Sequence, residues 1–140
     1  MRVLIIDDDR PHGESLSDLL NARGHEAYFA PSLPEADWLL ELFRFHLALL
    51  DWDMPERSGP QVARALVERD PALRPVLMSA REPRPGDLLA EKAPPMPFLP
   101  KPIRVDTLLA LIASLSSDSL SLTLRLEFPL DRYRRPRRRP

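Results

Sequence analysis

The chain has 140 residues, 44% hydrophobic and 29% charged, a size that fits one globular domain with a real core. It contains no cysteine, which excludes disulfides and thiolate metal sites, and no apolar run approaches the roughly 20 residues of a membrane span. The formal net charge of −1 conceals a split: residues 118–140 carry seven arginines against three acids, so an acidic domain over 1–117 is followed by a basic C-terminal extension over 118–140.

Strand-like and helix-like segments alternate along the first 117 residues. Val3–Ile6 is a continuous apolar run, the pattern of a strand buried on both faces of a parallel sheet. Leu16, Leu19 and Leu20 mark a helix that ends at Gly24. Glu26–Ala30 reads as a weaker strand, and Pro34 as the start of a helix with Leu39, Leu40, Leu42 and Phe43 on its apolar face. Leu47–Leu50 is a third strand that stops abruptly at a carboxylate, Asp51, expected to be exposed. Pro60 opens a helix bearing Val62, Ala63, Leu66 and Val67, and Pro75–Met78 is a fourth strand ending at Ser79.

Prolines then crowd the chain, and each costs about 3 kcal/mol inside a helix. The fourth helix is therefore expected to be short or irregular, spanning little more than Asp87–Lys92. Phe98–Leu99 gives a short fifth strand and Val105–Leu115 a strongly apolar last helix. This alternation predicts an α/β fold built on an open, doubly wound five-stranded parallel sheet.

In such sheets ligands bind beyond the carboxyl ends of the strands. Asp7-Asp8-Asp9, Asp51, Ser79 and Lys101 all fall at those ends. Carboxylates gathered at one edge repel unless a cation offsets them, and Mg²⁺, a hard ion with oxygen ligands, suits them. Asp51 is the candidate nucleophile toward phosphorus, Lys101 a point charge for a phosphoryl oxygen, and Ser79 a hydroxyl donor. Each feature alone has a bland reading as a cap, a turn or a surface lysine. Together they would have to coincide at four separate strand ends.

Asp7-Asp8 after Val3–Ile6, Asp51 in Leu-Leu-Asp-Trp-Asp-Met-Pro, Gly59, Val76-Leu77-Met78-Ser79-Ala80 and Phe98-Leu99-Pro100-Lys101-Pro102 together resemble the response-regulator receiver domain of two-component signalling. The resemblance covers roughly residues 1–117 and implies the flavodoxin-like strand order 2-1-3-4-5. It implies that Asp51 accepts a phosphoryl group from a sensor histidine kinase or phosphotransfer protein. Asp8 and Asp51 would ligate Mg²⁺ directly, Asp7 through water, and Asp53 through its backbone carbonyl. Ser79 and the aromatic Phe98 would switch conformation together, and Lys101-Pro102 would be a cis peptide. Such a protein accepts a phosphoryl group and can lose it again, and is not a turnover enzyme.

Two departures stand out. Phe98 lacks the hydroxyl of the more usual tyrosine, and the proline-rich stretch before it rebuilds a surface that many receivers use for dimers and partners. Asp53 and Arg81, two residues after Asp51 and Ser79, are expected to pair across the site and prolong the phosphorylated state.

No further domain of useful length follows, so a stand-alone receiver acting on an output protein is expected. With neither a span nor a signal peptide, it is expected to be cytoplasmic. Residues 119–128 alternate strictly, with Leu120, Leu122, Leu124, Leu126 and Phe128 on one side, the period of a strand. Such a strand offers a homodimer by strand addition. Six arginines within 132–140 offer contacts to nucleic-acid phosphates, an anionic membrane or an acidic protein face. Two other functions are compatible with parts of the pattern: tail-mediated nucleic-acid or scaffold binding, and an aspartate-nucleophile phosphatase suggested by Asp51-Trp52-Asp53. Haloacid-dehalogenase-like hydrolases carry that D-x-D on the first strand, and here it follows the third.

Overall fold

A computed structural model describes residues 1–84 and 86–126, with side chains as far as Ser116. Its elements run β1 (Arg2–Ile6), α1 (Arg10–Ala22), β2 (Glu26–Ala30), α2 (Leu33–Leu42), β3 (Leu47–Asp51), α3 (Gly59–Arg69), β4 (Arg74–Ser79), α4 (Asp87–Ala90), β5 (Phe98–Pro100) and α5 (Val105–Leu126). The five strands form one sheet in the order β2-β1-β3-β4-β5, all parallel.

Period-two alternation explains why the strands read as unbroken apolar runs. Val3, Ile5, Leu47, Leu49, Val76 and Met78 face one side, packing with Leu16 and Leu20 of α1 and Leu108, Ile112 and Leu115 of α5. Leu4, Ile6, Ala48, Leu50 and Leu77 face the other, packing with Ala36, Leu39 and Leu40 of α2 and Val62, Ala63 and Leu66 of α3. Both faces are covered by helices, so β3 is buried throughout and β1 and β4 are buried beyond their first residues.

α3 is set by its first turn. Ser58 accepts from the Gln61 amide at 3.2 Å while the Gln61 side chain accepts from the Ser58 amide at 3.3 Å, a complete capping box. Gly59 donates to the Trp52 carbonyl at 2.7 Å. A Cβ on Gly59 would lie 2.6 Å from the Asp51 carbonyl oxygen and 2.8 Å from Trp52 Cα. This close approach seats α3 directly against the end of β3.

α4 is a single turn, Asp87–Ala90, with no buried residue, the short helix that the prolines predict. Two expectations need correction. On α2, Leu42 points outward with Trp38, and only Leu39 and Leu40 of the expected apolar face are buried. Over 119–126, the described part of the strand expected over 119–128, the chain instead continues α5.

The reason lies in helix propagation. Once the turn at Val105 is nucleated, each added residue gains a hydrogen bond at little cost, and neither proline nor glycine occurs before Pro129. Leucines at every second position are also four apart in pairs, so the alternation does not exclude a helix. The expected domain boundary at 117/118 thus falls inside α5, and dimerisation by strand addition loses its strand. Residues 127–140, with the end of that segment and the arginine-rich stretch 132–140, lie outside the described residues. Among the described residues, no helix is long and apolar enough to cross a membrane.

Gly59→Ala is expected to lower stability by about 1–3 kcal/mol, because the new methyl group meets backbone rather than a flexible side chain. Urea unfolding checks this; an unchanged midpoint would contradict the close packing.

Candidate functional site

The chain order reverses at β1, which lies between β2 and β3 in the sheet. The crevice at the carboxyl ends of β1 and β3 is therefore the switch point where this architecture binds ligands. Asp7 and Asp8 follow β1, Asp51 is the last residue of β3, Ser79 the last of β4, and Lys101 comes directly after β5.

Asp7 is completely buried and Asp51 is 6% exposed, whereas Asp8 is exposed. Asp51 is thus not the exposed carboxylate expected at a strand end. Trp52 and Met54, which follow it, are also buried, packed into the core on the α2/α3 face. Carboxylate oxygens of Asp7, Asp8 and Asp51 lie within 4.8 Å of one another.

One cation joins the two buried acids. Lys101 Nζ donates to Asp51 Oδ1 at 3.0 Å and to Asp7 Oδ2 at 3.2 Å. Its backbone is tied to β4, since the Lys101 amide donates to the Ser79 carbonyl at 2.8 Å. The Lys101-Pro102 peptide is cis.

The electrostatics follow from this geometry. Burial pushes the Asp51 carboxyl above its ordinary 3.8, the Lys101 hydrogen bond pulls it down, and the Asp7 charge pushes it up again; the net direction is upward. Burial alone would lower Lys101, but its hydrogen bond to Asp51 and the charge of Asp7 outweigh that and hold it above 10.5. Asp51 therefore carries negative charge that its surroundings only partly offset. All the donor atoms of the cluster are carboxylate oxygens, the set a hard divalent cation takes.

The remaining expected residues are placed unevenly. The Asp53 backbone hydrogen-bonds the Asp51 carboxylate while its side chain is exposed. Ser79, 2% exposed, is turned away from the acids: its hydroxyl donates to the Arg81 carbonyl at 2.8 Å and accepts from the Arg81 amide at 3.0 Å. Phe98 is half-buried at the start of β5, beside Leu77 of β4. Arg81 is exposed, and no ion pair joins it to Asp53 among the described residues.

The sequence reading missed one residue, His12, whose Nδ1 donates to Asp7 Oδ2 at 2.6 Å. The available signal was its position five residues after Asp7, in the first turn of the helix that follows the acidic triplet.

Comparison with known proteins agrees with this geometry. The response regulator receiver domain family matches residues 3–113. A response regulator receiver protein of Anaeromyxobacter sp. is 31% identical over 110 residues, covering 79% of this chain and 46% of that protein. The chain spans half or less of the length of the curated relatives it matches. Among solved structures, a CheY-like receiver domain from Methanospirillum hungatei superposes with a TM-score of 0.77 at 22% identity, covering 86% of this chain and 96% of that one. The Thermotoga maritima response regulator TrrA, solved in complex with Mg²⁺-BeF, superposes with a TM-score of 0.70 at 26% identity, covering 81% and 97%. A family match over most of the chain, on a sheet of this order and with this acidic cluster at its switch point, leads to one assignment: the chain belongs to the response regulator receiver domain family.

Proposed function

We propose that this protein is a phosphorylation-switched signalling module in which Asp51 is the phosphoacceptor. The observation that carries the reading is the Lys101 ammonium bridging Asp7 and Asp51 inside the carboxylate cluster at the β1/β3 switch point. The donor is a phosphohistidine of a sensor histidine kinase or phosphotransfer protein. An Asp51 oxygen forms a bond to phosphorus as the phosphorus–nitrogen bond breaks, and the electron pair returns to the imidazole of the donor. Asp51 is modified and later restored by hydrolysis, so the module is a switch and not a turnover enzyme.

Asp8 and Asp51 would hold Mg²⁺, with Asp7 acting through water and Asp53 through its backbone carbonyl. When bound, that ion offsets the charge of the phosphoryl oxygens. The carboxylate donor set fits it, and the Mg²⁺-BeF complex of TrrA supports the choice. Lys101 supplies a second positive charge to the same oxygens. Ser79 turns from the Arg81 backbone toward the phosphoryl group, and Phe98 repacks with it. Phe98 has no hydroxyl, so its two positions differ in packing alone. Phosphorylation thereby shifts an equilibrium between two conformers and changes which output protein binds. Asp53 and Arg81, both exposed, restrict the water that hydrolyses the phosphoryl bond.

Incubation with acetyl phosphate and Mg²⁺ is expected to add the mass of one phosphoryl group to the wild type and nothing to Asp51→Asn. No gain in the wild type would sink the reading. In Arg81→Ala the phosphorylated form is expected to decay several-fold faster, measured by the same mass shift over time; an equal rate would remove Arg81 from the site.

The raised pKa of Asp51 fixes a sign for stability. The native state holds the Asp51 proton more tightly than the unfolded chain does, so ionising Asp51 costs stability as pH rises from 3.8 through the higher native value. Asp51→Asn removes that cost. Its urea midpoint is expected to exceed the wild type's at neutral pH, with the difference vanishing below 3.8. An equal or lower midpoint at neutral pH would mean that the Lys101 contact outweighs burial.

A further inference from the structure

We propose that His12 is a positioning residue for the cation site: it locks the Asp7 carboxylate in the orientation a divalent cation requires. The inference rests on the reading of Asp7, Asp8 and Asp51 as a Mg²⁺ cluster and concerns a residue outside that set.

The Asp7 carboxylate is held on both oxygens. Oδ1 accepts from the Asp9 amide at 2.9 Å, and Oδ2 accepts from His12 Nδ1 at 2.6 Å and from Lys101 Nζ at 3.2 Å. These holds are not equivalent. Lys101 divides its charge between Asp7 and Asp51, and phosphoryl oxygens would draw it further away. His12 makes no other side-chain hydrogen bond: its Nε2 is buried with no partner among the described residues. Burying a ring nitrogen unpartnered is unfavourable, so the contact with Asp7 is the one polar interaction that accounts for the ring's placement.

The backbone under His12 is fixed as well. Its amide donates to Asp9 Oδ1 at 3.2 Å, the cap of α1, and the next residue is Gly13. A Cβ on Gly13 would lie 2.0 Å from Phe29 Cε1, so α1 lies directly against the aromatic ring of β2 at this turn. His12 therefore reaches Asp7 from a position that cannot drift. Because Nδ1 is spent on Asp7, the donor set left for the cation remains carboxylate oxygen, which favours a hard ion over a nitrogen-seeking one. Partners that orient a ligating carboxylate typically matter about 10–100-fold in metal affinity.

Calorimetric titration of the full chain with Mg²⁺ tests this on wild type, His12→Ala, His12→Phe, His12→Asn and Asp8→Asn, with urea unfolding confirming that each variant is folded. The expected result is a Mg²⁺ affinity about tenfold weaker in His12→Ala and in His12→Phe, which keeps a ring but no donor. His12→Asn, whose amide nitrogen occupies the reach of Nδ1, is expected to bind close to wild type. Unchanged or tighter binding in His12→Ala, or His12→Asn as weak as His12→Ala, would overturn the role of His12. Wild type that takes up no Mg²⁺, or Asp8→Asn that binds as well as wild type, would instead overturn the cation cluster, and the proposal with it.

Discussion

Two carboxylates buried beside each other and bridged by one ammonium form the interaction on which the rest of this structure depends. At an effective dielectric constant near 20, like charges about 4 Å apart repel by on the order of 4 kcal/mol, before the penalty of removing each from water. Lys101 offsets this with contacts of 3.0 and 3.2 Å to Asp51 and Asp7, yet Asp51 stays harder to ionise than a free aspartate. The site is therefore short of positive charge by design of its geometry. A divalent cation and a phosphoryl group arriving together bring the compensating charge and something for it to hold.

The fold exists to keep those three groups close. Parallel strands buried on both faces make a stiff sheet, and its C-terminal edge fixes Asp7, Asp51, Ser79 and Lys101 within a few residues of strand ends. Gly59 lets α3 approach the Asp51 and Trp52 backbone, and Asp51 itself is 6% exposed. Ser79 spends its hydroxyl on the Arg81 backbone rather than on the acids. In the switch proposed above, that hydroxyl exchanges the Arg81 backbone for the phosphoryl group and so carries a change at Asp51 into β4.

Much of this was legible in the residues. Val3–Ile6, Leu47–Leu50 and Val76–Met78 announced buried strands because both faces needed apolar side chains, and the prolines around Asp87 announced a stunted helix. The identities at the strand ends carried the site. What could not be read was enclosure. Asp51 looked exposed because it ends its strand, and the approach of α3 to its backbone comes from Gly59, eight positions away in sequence. His12 was hidden for a similar reason: a histidine near a helix start has no signature until the ring is seen to turn back to Asp7. Residues 119–126 misled because a two-residue leucine period satisfies strand and helix spacings alike, and the preceding helix decided between them.

A crystal structure of the protein grown with Mg²⁺ and beryllofluoride tests the central claim most directly. The account predicts beryllofluoride bonded to an Asp51 oxygen, Mg²⁺ against Asp8 and Asp51, and Lys101 Nζ within hydrogen-bond reach of a fluorine atom. An unmodified Asp51, with Lys101 still bridging it to Asp7 and no ion in the cluster, would contradict it.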